Sequence, residues 1–404
     1  MRVAILHPSF ESFGGAEALA CGQARELAAL GHEVTIVSFG LGRLRDEGVA
    51  GVRLTELRRP LQSAAGQLAV FERFTGVEDA VRHALAGADR VIAHHPPASS
   101  WAVRAGFAER TVFYCHEPTR AFHRRAVSPA LDAVASAGSA PPSNAKRAYA
   151  ISLARDARRR LVPFGLGWAA RDERRAVARV AALWANSAFT AGLARTVYGR
   201  ADVEIVYPFV GERSARAVAE HPPAGALRVL TRTRLQPIKN VDLLIRAVAL
   251  AAARGLDLEL DVVGDGSLRV ELAALAQSLG LGARVRLHGY LGDAASAELE
   301  AGAHVFALLP FDEPFGLVFV EAALAGLVVL GPDQGGPREI LAPGGFSADA
   351  SDVSAIAAEF ARIRGTPRAE LDVRRAALRQ SCLERYTAPA FRDRMRELLG
   401  PPPV

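Results

Sequence analysis

Short apolar runs, each about the length of one strand, alternate with helical stretches along most of this chain. That alternation confines the fold to parallel sheets covered by helices, because parallel neighbours need a crossover segment between them. The first run, Val3-Ala4-Ile5-Leu6, has no polar alternation, the pattern of a strand buried on both faces. Val34–Val37, Arg90–Ala93, Val112–Tyr114, Ala182–Ala185 and Glu204–Val206 continue the series, with a helix over Ala16–Leu30 closed by Gly31. A second series follows a polar segment containing His221-Pro222-Pro223, the candidate linker. Its strands are Leu227–Leu230, Leu258–Val263, Val285–Leu287, Val305–Leu309 and Leu327–Leu330. A helix is expected over Val241–Ala252, and a mostly helical tail over Arg374–Leu399, broken near Pro389. Val127–Asn144, rich in Ala, Ser and Pro, reads as a loop, and Pro401–Pro403 as a frayed end. The expected class is α/β, with two doubly wound domains over residues 1–210 and 224–384.

Composition narrows the classes of function. At 404 residues the chain holds two domains of ordinary size, and no run of 18 apolar residues is present to span a membrane. The opening apolar run is too short for a signal peptide. Cys21, Cys115 and Cys382 have no metal-ligand spacing and read as reduced, cytosolic thiols. The net charge of +6 is uneven: Thr119–Val180 carries 13 Arg/Lys against 4 Asp/Glu. Arg147, Arg155, Arg158–Arg160, Arg174 and Arg175 form either a solvated helix face or, with Leu161, Phe164 and Trp168, a surface for anionic membrane. No nucleic-acid module reads out of the pattern.

Glu313 and Glu321 bracket Glu-Pro-Phe-Gly-Leu-Val-Phe-Val-Glu, eight residues apart. With Pro314 opening a helix that runs to Gly326, the carboxylates would lie roughly 12 Å apart along its axis. A glycosidase pair needs about 5–10 Å, so these acids suit two separate jobs along one extended ligand. Amides at Phe315, Gly316 and Leu317 would sit at a helix N-terminus, where a diphosphate is favoured. Of 49 basic residues only Lys146 and Lys239 are lysines. Lys239 falls five residues after Arg234, between a strand and a helix, where a compact ammonium and a planar guanidinium do different work on phosphate.

Other segments carry weaker signals. Gly14-Gly15, between the first strand and first helix, is either an ordinary turn or a close backbone approach to an anion. Gly264-Asp265-Gly266 follows a strand but lacks the third glycine and downstream acid of a dinucleotide fingerprint. His116, in Tyr114-Cys115-His116-Glu117-Pro118, is placed at a strand's C-terminal end, where open α/β sheets bind ligands; His94-His95 is a similar edge. Gly335-Gly336 is a further turn. No Asp-x-Asp pair, Walker loop or Gly-x-Ser-x-Gly elbow occurs.

In order and spacing, these pieces together with Ala185-Asn186-Ser187 and Tyr207-Pro208 resemble family 4 of the retaining glycosyltransferases, of two-Rossmann-domain GT-B architecture. The Cys-His-x-Pro and Val-Tyr-Pro pieces are most similar to mannosyltransferase-type members. The resemblance implies transfer of a hexose, with GDP-mannose the first donor, to a glycan, lipid-linked or small-molecule acceptor. It implies no cofactor and no metal. Arg234 and Lys239 would neutralise the donor diphosphate, Glu321 would hold ribose hydroxyls and Glu313 sugar hydroxyls. Gly14, Gly15, Phe315, Gly316 and Leu317 would offer amides, and His116 would lie beside the transferred sugar. The base would rest near Gly264 and Tyr290. A C-terminal helix, over 385–400, would return to the first domain, and the protein would be cytoplasmic or peripheral on the membrane's inner face. Thr233, the lack of a serine before Glu313, and Glu117 depart from the family pattern. The alternatives are a UDP-glucose or UDP-N-acetylglucosamine transferase and a non-catalytic sugar-nucleotide-binding subunit; a dehydrogenase would require NAD(P).

Overall fold

A computed structural model describes residues 1–11, 14–57, 76–120, 122–123, 163–211 and 225–400. The chain divides into two compact units. Among described residues, the first takes those up to 123, those from 163 to Phe209, and those from Ala388; the second runs from Val210 to Thr387.

The first unit is built on seven parallel strands: β1 (Arg2–His7), β2 (Glu33–Ser38), β3 (Val52–Glu56), β4 (Arg90–His94), β5 (Thr111–Cys115), β6 (Ala182–Ala185) and β7 (Val203–Ile205). Their order is β3-β2-β1-β4-β5-β6-β7. Strand β1 pairs Val3 and Ile5 with Val34 and Ile36 on one side, and Val3 with Arg90 on the other. Its alternating side chains feed two cores. Val3 and Ile5 pack with Leu19, Ala24 and Leu27 of helix Gly15–Ala29, whereas Ala4 and Leu6 pack with Val81, Leu85 and Trp101. That two-faced burial explains the unbroken apolar run.

The last helix, Ala388–Leu399, belongs to this unit. Phe391 and Met395, 3% and 1% exposed, enter the same core as Val3 and Ile5, and Arg392 pairs with Glu26 at 2.6 Å. The break before it falls at Tyr386-Thr387, not at Pro389. Pro389 sits in the helix's first turn, where its missing N–H removes no helical bond.

The second unit holds six parallel strands: β8 (Leu227–Arg232), β9 (Leu258–Val263), β10 (Val285–Gly289), β11 (Val305–Ala307), β12 (Val328–Pro332) and β13 (Phe346–Ala348). Their order is β10-β9-β8-β11-β12-β13. In each sheet the strand order reverses beside the unit's first strand, at β1 and at β8. The crevice beyond the C-terminal strand ends at such a reversal is where open α/β sheets bind ligands. Residues 8–11, after β1, and 233–240, after β8, leave those two points.

Candidate active site residues and their relatives

In the second unit, β8 ends at Arg232 and the chain turns through Thr233–Gln236 into a short 3₁₀ turn, Pro237–Lys239. Two glycines hold this turn in place. Gly264, at φ +132°, packs so closely that a Cβ would stand 1.8 Å from the Thr233 carbonyl oxygen. A Cβ on Gly266 would stand 2.5 Å from that of Leu235. Two bonds tie the loops, both donated from the Arg234 side: Thr233 N–H to Val263 O at 3.0 Å and Leu235 N–H to Asp265 O at 2.9 Å. Gly264-Asp265-Gly266 is therefore a close-approach turn supporting the Arg234 segment.

Asn240 ends the 3₁₀ turn at φ +58° and is fully buried. Its Nδ2 donates to Leu309 O at 3.0 Å and Ala350 O at 2.6 Å, fastening this loop to those after β11 and β13. Phe311 N–H donates to Ile238 O at 3.0 Å, and Gly336 N–H to Glu313 O at 2.8 Å. These bonds bring Lys239 to Glu313, with Nζ 2.6 Å from Oε2 and both side chains mostly buried. A second charged pair joins Arg232 to Glu321. Arg232 was not singled out from sequence. It closes β8 two residues before Arg234, and that position was the available signal.

The helix after Glu313 is shorter than expected. It spans Leu317–Leu324, eight residues, and Gly316 caps it at φ +93°. Pro314 stands outside it, because the chain first bends through Asp312, which has φ +47°, and is held there by the Gly336 contact. The 12 Å figure for wholly helical spacing therefore does not apply. Phe315 is 3% exposed and packs edge-on against Tyr386, so its ring is structural while Gly316 and Leu317 lead the helix. A Cβ on Gly316 would stand 2.6 Å from the Phe319 ring. Gly264 N–H donates to Gly289 O at 2.8 Å, and Tyr290, next in the chain, is 84% exposed.

In the first unit His116 follows β5. Its Nε2 lies 2.9 Å from His94 Nδ1, and its carbonyl accepts from Asn186 Nδ2 at 2.9 Å. The His95 ring stacks on it at 4.7 Å and 16°, and His7, at the end of β1, meets His95 edge-on at 5.3 Å. Four histidines thus gather at one sheet edge; from sequence His116 stood out, His94-His95 carried less weight, and His7 was not singled out. Burial, then the charge of His95, lowers the His7 pKa to about 3. Burial lowers His95 to about 4, and holds His94 and His116 well below the ordinary range. All four are neutral imidazoles at pH 7. Gly14 caps helix Gly15–Ala29, but its N–H already donates to Glu17 Oε2 at 2.8 Å, so an anion there would compete with that carboxylate. No atom lies within 4 Å of a Cβ built on Gly15.

Ser12, Phe13, Arg147, Arg155, Arg158–Arg160, Leu161, His221–Pro223 and Pro401–Pro403 lie outside the described residues. Of the basic region, helix Pro163–Val177 carries Arg174 and Arg175, and Trp168 is 48% exposed. Among described residues no helix is long and apolar enough to cross a membrane.

The folds resemble solved GT-B glycosyltransferases over nearly the whole chain. The Anabaena protein HepE, crystallised with UDP and glucose, superposes with TM-score 0.70 at 19% identity, covering 99% of both chains. WaaG, a glycosyltransferase of lipopolysaccharide biosynthesis, gives TM-score 0.64 at 19% identity, covering 98% of this chain and all of the other. Sequence places the chain more finely. The family model for glycosyltransferase family 4 matches residues 13–212, and that for glycosyl transferases group 1 matches 218–378. The chain belongs to glycosyltransferase family 4.

Among its curated relatives are a D-inositol 3-phosphate glycosyltransferase of Streptomyces avermitilis, 32% identical over 45% of this chain and 43% of that protein, and a GDP-mannose-dependent alpha-mannosyltransferase of Mycolicibacterium smegmatis. The latter is 38% identical over 27% of this chain and 26% of its own length. The chain thus spans less than half the length of these relatives.

Proposed function

We propose that this chain is a retaining glycosyltransferase that moves a hexose, first of all mannose from GDP-mannose, to a glycan, lipid-linked or small-molecule acceptor. The observation that carries the reading is the meeting of Lys239 with Glu313 and Arg232 with Glu321 around the Arg234 turn, at the strand reversal beside β8. The name of the M. smegmatis relative supports the choice of donor.

In this reading Arg234 and Lys239 face the donor diphosphate, Lys239 exchanging its contact with Glu313 for phosphate oxygen. Glu313 then takes sugar hydroxyls, and Glu321, oriented by Arg232, takes the ribose. The bond from the anomeric carbon to phosphate oxygen breaks, and the departing diphosphate carries the electron pair. The acceptor oxygen bonds to the same sugar face, and its proton passes to the leaving phosphate. Fixed cations and the amides of Gly316 and Leu317 stabilise the growing charge, a role for which the chain offers no Asp-x-Asp metal handle. Tyr290 and Gly264 flank the base, and His116 stands on the acceptor side.

The test has two parts. A thermal-shift panel of GDP-mannose, UDP-glucose and UDP-N-acetylglucosamine identifies the donor through stabilisation by mass action. Lys239→Ala and Arg234→Ala should then each lower turnover by ~10² or more, the usual cost of losing one such stabiliser. Near-wild-type turnover in either variant removes the mechanism. Donor binding without transfer to any acceptor, water included, makes the chain a non-catalytic subunit instead. Turnover unchanged by EDTA supports the metal-independent step. We further propose peripheral docking through the basic region, read by salt-sensitive sedimentation with anionic liposomes.

A further inference from the structure

We propose that His7, Glu17 and His95 form a binding site for a divalent transition-metal ion of the zinc type, separate from the diphosphate chemistry of the second unit. The three side chains come from three elements: the end of β1, the first turn of helix Gly15–Ala29, and the residue after β4. One ligand atom from each lies within 4.8 Å of the other two. Zinc–nitrogen and zinc–oxygen bonds of about 2.0–2.2 Å require ligand atoms about 3.3 Å apart, a closure within reach of side-chain rotation. Two imidazoles and one carboxylate, with a fourth position open, are a recurrent zinc ligand set.

Three observations make this more than proximity. The His7 side chain is 2% exposed, yet its Nε2 has no hydrogen-bond partner, and Glu17 Oε1 stands 3.9 Å away, beyond direct bonding. A buried polar atom left in that state is destabilising, and a metal ion between the two atoms relieves it. Glu17 divides its oxygens: Oε2 accepts the Gly14 N–H at 2.8 Å while Oε1 faces His7, so one can ligate without loss of the helix cap. His95 adopts φ +66° at the start of helix Pro96–Arg104, a conformation costly for a residue with a Cβ. That strain accompanies placement of its ring between His7 and His116.

Ser9 N–H donates to His7 Nδ1 at 3.3 Å. Metal at Nε2 therefore shifts the ring proton to Nδ1 and exchanges that long contact for a coordinate bond, with no net proton released. His116, bonded to His94, stacks on the His95 ring and sets the side of the site on which that ring lies.

The experiment uses the untagged full-length chain, stripped with chelator and titrated with Zn²⁺ alone by calorimetry. One ion per chain should bind, and Glu17→Gln and His7→Gln should each weaken binding at least tenfold. Excess Mg²⁺ should not displace the ion. Substitution of Co²⁺ should give the intense visible absorption of a four- or five-coordinate site in the wild type, a readout that stands even where a variant fails to fold. The proposal is overturned if Zn²⁺ does not bind with unit stoichiometry, if both variants bind as tightly as wild type, or if Co²⁺ shows only its weak octahedral spectrum. None of these readouts requires glycosyl transfer, so failure here leaves the proposed activity standing, and the converse holds.

Discussion

The buried histidines of the first unit make its stability sensitive to mild acid, and His7 gives the effect a magnitude. Burial, followed by the charge of His95, holds its pKa at about 3 in the folded chain; in an unfolded chain the value is about 6.5. As pH falls below 6.5, the unfolded state takes up a proton at this ring and the folded state does not. Acid therefore favours unfolding, and the penalty grows until the folded ring also titrates near pH 3. Between pH 7 and pH 5 the difference in proton binding amounts to roughly 1.4 pH units, or about 2 kcal/mol for this one side chain. His95, lowered to about 4, acts in the same direction.

Urea unfolding followed by tryptophan emission isolates the effect, because all three tryptophans, Trp101, Trp168 and Trp184, lie in the first unit. With EDTA present, the wild type should lose about 2 kcal/mol more than His7→Gln between pH 7 and pH 5. Carboxylate titrations common to both proteins cancel in that difference. Equal losses would refute the claim that His7 is held neutral by its surroundings.

Three other substitutions probe the second unit. Gly264→Ala sets a Cβ 1.8 Å from the Thr233 carbonyl oxygen at φ +132°, so the Arg234 turn must shift. Thermal melts should register a loss above about 1–3 kcal/mol, and donor binding should weaken with it. Asn240→Ala abandons the bonds to Leu309 O and Ala350 O in a fully buried position, at a cost of about 2–4 kcal/mol in urea titrations. Asn240→Gly should destabilise similarly, since the lost bonds rather than φ +58° dominate; full stability in Asn240→Gly would show that the backbone conformation matters more. Arg232→Met leaves Glu321 in place and removes its contact with the guanidinium. Both side chains are mostly buried, 23% and 24% exposed, so stability should fall by about 1–3 kcal/mol, more than for an exposed pair. Donor affinity should fall about tenfold, the equivalent of ~1.4 kcal/mol; unchanged affinity would dissociate Arg232 from ribose binding.

Much of this architecture was legible because central strands are buried on both faces. Val3–Leu6 and Leu258–Val263 read as strands from their apolar runs alone, and Gly31 marked a helix end that the structure places at Ala29 with Leu30 as cap. Strands β3 and β13 were not legible. Val52–Glu56 is half polar at a sheet edge, and Phe346–Ala348 is only three residues long.

The pairing of Lys239 with Glu313 depends on Asn240 and on backbone bonds between distant loops, which spacing does not encode. The misjudged start of helix Leu317–Leu324 has the same origin: a tertiary contact from Gly336 overrides the local preference of Pro314. His116 and His94-His95 were legible as strand-end residues, but their meeting with His7 was hidden, because β1, β4 and β5 are neighbours in space and far apart in sequence.

The return of helix Ala388–Leu399 to the first unit has a consequence for biosynthesis. A nascent chain emerging from the ribosome has all seven strands of that sheet in hand long before Phe391 and Met395 exist to seal one of its hydrophobic faces. The second unit, continuous from Val210 to Thr387 among described residues, is complete before the last helix is translated. The first half must therefore wait, with the apolar surface of Val3, Ile5 and Leu19 incompletely covered, and a premature stop after Thr387 yields a polypeptide with one finished lobe and one exposed to chaperones and proteases.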